Sequence, residues 1–427
     1  MAGATPGWWR RIREALGGLT VRGRAFTAAG LTAIVCASLL SQSGLARVGV
    51  LIAALPLLAA FVVGRSRYRL ALVRTVTPTL VAAGQSAKVT LTLSNEGRTP
   101  SGTLMLEDQV PYVLGTRPRF VLEGIGHGWR RHVTYQVRSD LRGHYPIGPM
   151  SVRVSDPFGL VELGRSFTSV TKLIVTPRTV PLPNIPMGGD LTGSGDNRPR
   201  AFASGSAEDV TVREYRRGDD LRRVHWRSSA RVGELMVRRE EQPWQSRATL
   251  FLDNRLRAHR GQGPASSLEA AVSTAASIAV HLAHRGYSVR LVTASGDDAS
   301  SVWHTREADT NIAPLLESLA VITATSAPKL EAGWLADPAH GGMVVGVFGG
   351  LEQHDLPLVR RMLHHSTSGL AIAMDVDAWV GRGDGAGSAP LLLAQGWRTV
   401  AQGPRDRLDR VWKDLGRTAN RVELTSR

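Results

Sequence analysis

The chain has 427 residues, 43% of them hydrophobic, which is enough for more than one domain with its own buried core. A single cysteine, Cys36, excludes an internal disulfide and any cysteine-rich zinc site. The net charge of +16 calls for an anionic partner, nucleic acid or lipid, and the placement of the charge decides between them.

Residues 1–24 form a basic N-terminal segment carrying Arg10, Arg11, Arg13, Arg22 and Arg24, and Arg47, Arg65, Arg67 and Arg69 lie beside the apolar runs that follow. Positive charge beside apolar runs favours a membrane surface over nucleic acid, because anionic lipid attracts each juxtamembrane basic residue by roughly 1 kcal/mol. Residues 25–66 predict a transmembrane hairpin with spans 25–46 and 48–64, both free of charge. Each reaches the length of about 17–20 apolar residues that a span needs, with Ser41, Gln42, Ser43 and Gly44 as the turn. A signal peptide is set aside because a second span follows at once without a cleavage site, and a buried helix pair because neither run has a polar face. Pro56 is tolerable in lipid, and Trp8 and Trp9 suit an interfacial anchor. Arginines at the outer ends of the hairpin place both termini in the cytoplasm, so the expected location is the cell membrane, multi-pass, with the bulk of the chain cytoplasmic.

Over residues 68–180 the apolar period becomes two: Val89, Leu91 and Leu93 share one face of a strand, Val133, Tyr135 and Val137 mark another, and Val152 and Val154 a third. Turn signals at Asn95-Glu96-Gly97, Arg142-Gly143 and Asp156-Pro157-Phe158-Gly159 separate them, which predicts an immunoglobulin-like β-sandwich. Residues 181–209, rich in Gly, Pro and Ser, read as a linker.

Residues 210–247 are dense in arginine yet studded with acids. Arg216, Arg217, Arg222, Arg223, Arg227 and Arg231 alternate with Glu214, Asp219, Asp220 and Glu234, a pattern suited to ion pairs that pin a loop, with Trp226 as the buried anchor of such a clasp. Glu214, Tyr215, Gly218, Asp219, Asp220, Arg223, His225, Trp226, Ala230, Arg231, Gly233, Glu234 and Leu235, in a segment with the blocks REY, GDD, HW, SAR and GEL in that order, resemble the bacterial domain-of-unknown-function 58 family. Arg142-Gly143, Tyr145, Gly148-Pro149 and the Asp156 to Leu160 segment extend the resemblance upstream. It implies a membrane-anchored protein, often encoded near a MoxR-type AAA ATPase and transglutaminase-like membrane proteins, with a von Willebrand factor type A-like C-terminal domain and no settled activity.

Residues 248–427 predict an α/β doubly wound domain. A strand at 248–253 ends in Asp253, and a helix from Ser266 to Arg285 follows with Leu268, Ala271, Val272, Ala275, Ile278, Ala279 and Leu282 on its buried face. Ser266 and Glu269 offer a capping box and Gly286 a stop. Strands at 289–293, 343–348 and 370–374 and helices near 311–319, 355–365 and 405–415 predict a mostly parallel sheet with helices on both faces. The von Willebrand type A resemblance implies a divalent cation on an Asp-x-Ser-x-Ser loop after the first strand. Asp253 is followed by Asn254, Arg255, Leu256 and Arg257, so arginine stands for both serines and Asp253 is a degenerate metal-loop position expected to pair with Arg255 or the arginine-rich segment. His364, His365, Asp375 and Asp377 lack ligand spacing.

The sequence contains no Walker loop, Gly-x-Ser-x-Gly nucleophile or zinc signature, so no catalytic residue and no cofactor is expected. The leading expectation is a membrane-anchored interaction scaffold or adaptor touching membrane lipid and a protein partner such as a MoxR-type ATPase or transglutaminase-like protein. A divalent-cation-dependent module and a nucleic-acid binder are the alternatives.

Overall fold

The structure is a computed structural model and describes residues 17–65, 70–95, 103–122, 129–156, 158–187, 212–215, 224, 226–238, 247–296, 312–336, 342–382 and 386–425. The chain divides into two compact units, Met1–Arg178 with Leu319–Val321 and Thr179–Ser318 with Ile322–Arg427.

The first unit opens with two helices, α1 (Val21–Leu39) and α2 (Ser43–Arg65), packed as a hairpin. Thr20 caps α1, its hydroxyl accepting from Gly23 N at 3.2 Å. Gly30 and Gly49 make the close approach possible: a Cβ on Gly30 would stand 2.6 Å from Ala53 N, and one on Gly49 2.9 Å from Ile34 N. The turn is shorter than the sequence implies. Helix α2 begins at Ser43, so Arg47 lies within it rather than at a boundary.

Two spans were expected, and the structure supports one. Among the described residues, only Ser43–Val63, 21 residues of α2, is long and apolar enough to cross a membrane. Helix α1 carries Arg22 and Arg24 in its first turn, and the hydroxyls of Thr27, Thr32 and Ser38 bond back to its own carbonyls, so its apolar character is diluted.

The strand-rich part holds β1 (Leu70–Thr77), β2 (Leu80–Ala82), β3 (Ser86–Asn95), β4 (Thr103–Asp108), β5 (Arg119–Leu122), β6 (Arg130–Arg138), β7 (Gly143–Ile147), β8 (Met150–Ser155), β9 (Glu162–Phe167) and β10 (Thr171–Thr176). They form sheets β1-β3-β6, β2-β10-β7 and β5-β4-β8-β9, antiparallel except for the β2/β10 pair. The period-two positions behave as their alternation requires: Val89, Leu91, Leu93, Val152 and Val154 meet Leu104, Leu106, Ile147, Leu173 and Val175 in one core. Each such side chain contributes roughly 1.5–3 kcal/mol by leaving water. One polar network crosses this core. Arg74 donates from Nε and Nη2 to Asp108, Nη1 donates to the carbonyls of Ile147 and Ser169, and Tyr135 donates to Asp108 at 2.5 Å. Burial, then the bond to Asp108 and its charge, raise the pKa of Tyr135, so the phenol stays protonated as a donor.

The Asp156 to Leu160 segment is the joint between helices and strands. Asp156 accepts from Phe158 N at 2.9 Å and from Val161 N at 2.7 Å, which closes the loop. The loop then holds the hairpin root: Thr20 N donates to Leu160 O, Thr20 Oγ1 donates to Gly159 O, and Leu160 and Val161 pack with Leu19, Leu55, Ala59, Ala60 and Val63.

The second unit begins with an extended segment that the sequence assigns to a linker. Residues 181–187 instead lie along the α/β domain. Ile185 and Met187 are buried, and Trp412 Nε1, Arg285 and Arg398 donate to the carbonyls of Pro183, Ile185 and Pro186. Residues 188–209 fall outside the described residues.

The sheet of this unit contains β13 (Arg247–Leu252), β14 (Ser288–Thr293), β15 (Met343–Phe348), β16 (Ser368–Met374) and β17 (Arg398–Gln402), in the order β14-β13-β15-β16-β17 with every pair parallel. Strands β14 and β15 are buried at every position, as a sheet covered on both faces requires. One face packs Phe251, Val292, Val344 and Phe348 against α6 (Leu356–His364) and α7 (Ala389–Ala394), with Trp397 wedged edge-on to Phe348. Helices α4 (Ser267–His284) and α8 (Leu408–Thr425) meet through the His281 ring edge-on to Trp412, and Thr274 of α4 donates to Gln402 of β17. Ser266 caps α4 as its spacing predicts, accepting from Glu269 N, and Gly286 at φ 80° ends it.

Candidate functional site

In strand order β14-β13-β15 the strands that follow β13 in sequence lie on opposite sides of it, and the crevice beside the carboxyl ends of β13 and β15 is the default ligand position of such a sheet. Asp253 follows β13 there, held by its N–H on Val347 O at 2.9 Å. The crevice is filled. Arg255 is 0% exposed and lays its guanidinium against Asp253 as a fork, Nε donating to Oδ1 and Nη2 to Oδ2, both at 2.9 Å. Its third nitrogen, Nη1, donates to Asp355 Oδ1 at 2.8 Å, a residue one hundred positions away.

Asp355 is aimed by its own capping geometry. Asp355 Oδ2 accepts from Glu352 N at 3.1 Å in a reciprocal box ahead of α6. The rim around it is Arg257, which donates to Glu352 and more distantly to Asp355, and His354, which contacts Arg257 Nη2 at 2.7 Å. Burial by itself works against the charge on Arg255. Hydrogen bonds and charge from Asp253, and then from Asp355, outweigh it, so the pKa of Arg255 is raised and the guanidinium remains a cation.

The loop carrying Arg255 is locked from behind. Asn254 accepts from Ala294 N and donates to Thr323 O, Leu256 N donates to Thr325 O, and Gly350 N donates to Ala258 O at 2.8 Å. Gly349 must be glycine at this crossing, because a Cβ there would stand 2.3 Å from Ala258 O. His259 is buried at the base. Its Nε2 lies 2.6 Å from the Asp253 carbonyl, which can only accept, so Nε2 carries the proton and Nδ1 accepts from Ser267 Oγ at 3.0 Å. Burial, the largest influence, lowers the pKa of His259 and keeps the ring neutral.

Asp253 thus pairs with Arg255, as its sequence suggests. Asp355, Glu352, His354 and His259 carry no signal of belonging to the same cluster. The Glu352-x-x-Asp355 capping spacing before α6 is the one local hint. His364 and His365 are exposed at the end of α6, and Asp375 is a buried cap that accepts from Ala378 N.

The family motif forms a small β-α-β unit. Strand β11 (Val212–Glu214) pairs antiparallel with β12 (Met236–Arg238), and α3 (Trp226–Val232) lies between them in sequence. Glu214 stands opposite Met236, and Tyr215 N donates to Leu235 O at 2.8 Å. Gly233 at φ 83° ends α3, its N–H on Ser229 O, and Ser229 Oγ accepts from Met236 N. Gly218, Asp219, Asp220, Arg223 and His225 lie outside the described residues. Trp226 is corrected: it is 70% exposed rather than a buried anchor, and Arg231 and Glu234 are exposed beside it. A seven-residue helix with no buried residue has no core to offer an indole.

No curated protein matches the chain. Among solved structures, the CARDB domain of a Pyrococcus furiosus protein is 16% identical, covering 25% of this chain and 91% of its own with a TM-score of 0.19. The putative ApaA protein of Bordetella pertussis is 14% identical, covering 27% of this chain and 98% of its own with a TM-score of 0.19. Scores at that level establish neither fold nor function. Residues 211–364, which contain both the β-α-β motif and the Arg255 cluster, match the model of the family described as protein of unknown function DUF58.

Proposed function

We propose that this protein is a membrane-anchored interaction scaffold without catalytic activity of its own. It is held by its N-terminal hairpin, with an immunoglobulin-like strand domain as spacer and a von Willebrand type A-like domain that binds protein rather than a metal or a small molecule. The observation that carries the reading is the filled crevice: the guanidinium of Arg255 stands between Asp253 and Asp355, where a ligand of a doubly wound sheet would sit. A cation there would meet a fixed positive charge and carboxylates already satisfied.

The partner surface assigned by this reading is the family motif. Trp226, Val232 and Leu235 are exposed apolar side chains with Arg227 and Arg231 exposed among them, the composition of an interface anchor. The partner class is the one that the family resemblance implies, a MoxR-type AAA ATPase in the cytoplasm. Crosslinking in the native membrane followed by purification of the full chain tests it. An ATPase should accompany the natural protein and be lost with Trp226→Ala, while the melting temperature of that variant stays within about 1–2 °C of the parent, as an exposed side chain requires. Loss of folding with Trp226→Ala, or undiminished capture, would remove the motif from the interface.

A further inference from the structure

Helix α1 is short for a bilayer. Between Arg24 and the turn at Ser41, α1 offers about 16 residues, which at ~1.5 Å each make about 24 Å against a hydrocarbon core of ~30 Å. Helix α2 is apolar over the 21 residues Ser43–Val63, but Ala59, Ala60 and Val63 on one face of its last turns are covered by Leu160 and Val161 of the strand domain. The length missing from α1 is about one helical turn, or ~5–6 Å.

The root of the hairpin carries apolar surface at that level. Val21, in the first turn of α1, is 84% exposed, and Phe158, in the loop that grips that turn, is 65% exposed. They are neighbours by construction, since Thr20 bonds to both Gly159 O and Leu160 O. Arginine stands among them: Nη1 of Arg22 lies 3.8 Å from where a Cβ on Gly159 would be, and Arg24 lines an open recess of about 410 Å³ with Gly18, Thr20, Val21 and Glu162. A bulky aromatic held outward by a closed loop, beside guanidinium groups at the end of an apolar helix pair, matches the interfacial zone of a bilayer, where Phe and Leu side chains of interfacial anchors enter the headgroup/acyl boundary and arginine reaches for phosphate.

We propose that the Phe158 loop and the first turn of α1 form an interfacial foot seated in the headgroup layer of the membrane, with Phe158 and Val21 at the acyl boundary and Arg22 and Arg24 on lipid phosphates. Immersing Val21 adds the turn that α1 lacks, so the foot sets the depth of insertion. The proposal rests on the hairpin entering the bilayer, and the single native cysteine separates the two claims, because Cys36 is exposed on α1 well above the root.

The test uses the full chain in vesicles of phosphatidylcholine and anionic phosphatidylglycerol, with an environment-sensitive dye on Cys36 and lipid-borne quenchers placed either at the headgroup or deep in the acyl chains. In a Cys36→Ser background the same dye is placed on Phe158→Cys and, as a control, on Tyr112→Cys. Tyr112 follows Asp108, which pairs with Met150 at the end of its sheet remote from the Ser155/Glu162 end that bears the foot. The expected result is deep quenching at Cys36 and headgroup-level quenching at position 158 at least about threefold above that at position 112. With the dye on Cys36, Phe158→Asp should shift its quenching toward the shallower probe while Phe158→Leu does not. Equal quenching at 158 and 112, with Cys36 still deep, overturns the foot and leaves the hairpin standing. A Cys36 dye in water overturns the hairpin and the foot together.

Discussion

Arg255 sits between two carboxylates that have no access to water, and its removal strands both. Arg255→Ala should therefore destabilise the second unit by about 3–5 kcal/mol, read as a loss in chemical denaturation of the full chain, because breaking a buried pair leaves uncompensated charge. The same geometry predicts a gain. With Arg255→Ser and Arg257→Ser together, Asp253, Asp355 and two introduced hydroxyls would face the emptied space, and magnesium or manganese at millimolar concentration should raise the melting temperature of this double variant while leaving the natural chain unchanged. Equal stabilisation of both proteins would show that Arg255 does not occlude a cation position. The histidine below the cluster gives a pH dependence. His259 has a lowered pKa in the folded state, chiefly through burial, so below the unfolded value of about 6.5 the unfolded chain takes up a proton that the folded chain refuses. Stability is complete above that pH and falls as the pH drops toward the folded value. His281, lowered first by burial and then by Arg285, acts in the same direction. Thermal melts from pH 7 to pH 5 should show the midpoint falling, and His259→Gln should flatten the slope.

At the scale of elements, sequence periodicity was legible wherever an element buries one face in a regular way. Strand β3 and helix α4 are found at their expected places because Val89, Leu91 and Leu93 keep a period of two, and Leu268 through Leu282 keep a helical one. Strand β17 was not foreseen: Arg398-Thr-Val-Ala-Gln is short, polar at both ends and only partly buried, as an edge strand can be. The extended 181–187 segment was read as linker for a related reason. Its burial comes from tryptophan and arginine side chains donating to its carbonyls from more than a hundred residues away, and composition holds no trace of that. Pairings at such separation also hid Asp355 from the Asp253 cluster. The helical hairpin shows the reverse: its two runs were plain, but the glycines that let them touch were not singled out. Gly30→Leu places a side chain where even a Cβ comes within 2.6 Å of Ala53 N, so the helices must splay. That variant should lose resistance to proteolysis at the hairpin turn in detergent while the strand domain, which has its own core, melts at the parent temperature. Coincident loss of both would mean that the hairpin and the strand domain fold as one cooperative body.

For the whole molecule, charge and attachment have to agree. Arg22 and Arg24 stand at the root of α1, Arg65 ends α2 with Arg67 and Arg69 after it in sequence, and Arg47 is the one basic residue near the turn. On the proposed membrane hairpin, the bias of arginine toward the root would hold the flanking segments in the cytoplasm, where the membrane potential and anionic lipid both favour positive charge. The strand domain grips the root through Leu160 and Val161, so the proposal puts it on the same side as those arginines. A reporter that functions only outside the cytoplasm, fused after Arg427 in cells, should accordingly remain inactive, while one that functions only inside should be active. Replacing Arg22, Arg24, Arg65, Arg67 and Arg69 together by glutamine while adding arginines at Ser41 and Gln42 reverses the bias. It should convert a measurable fraction of the chains to the opposite reporter pattern, since loop charge over short flanks governs orientation. If the natural chain activates the external reporter, the body of the protein faces away from the cytoplasm. A cytoplasmic ATPase could then not reach Trp226, and the partner would have to be sought on the other side of the membrane.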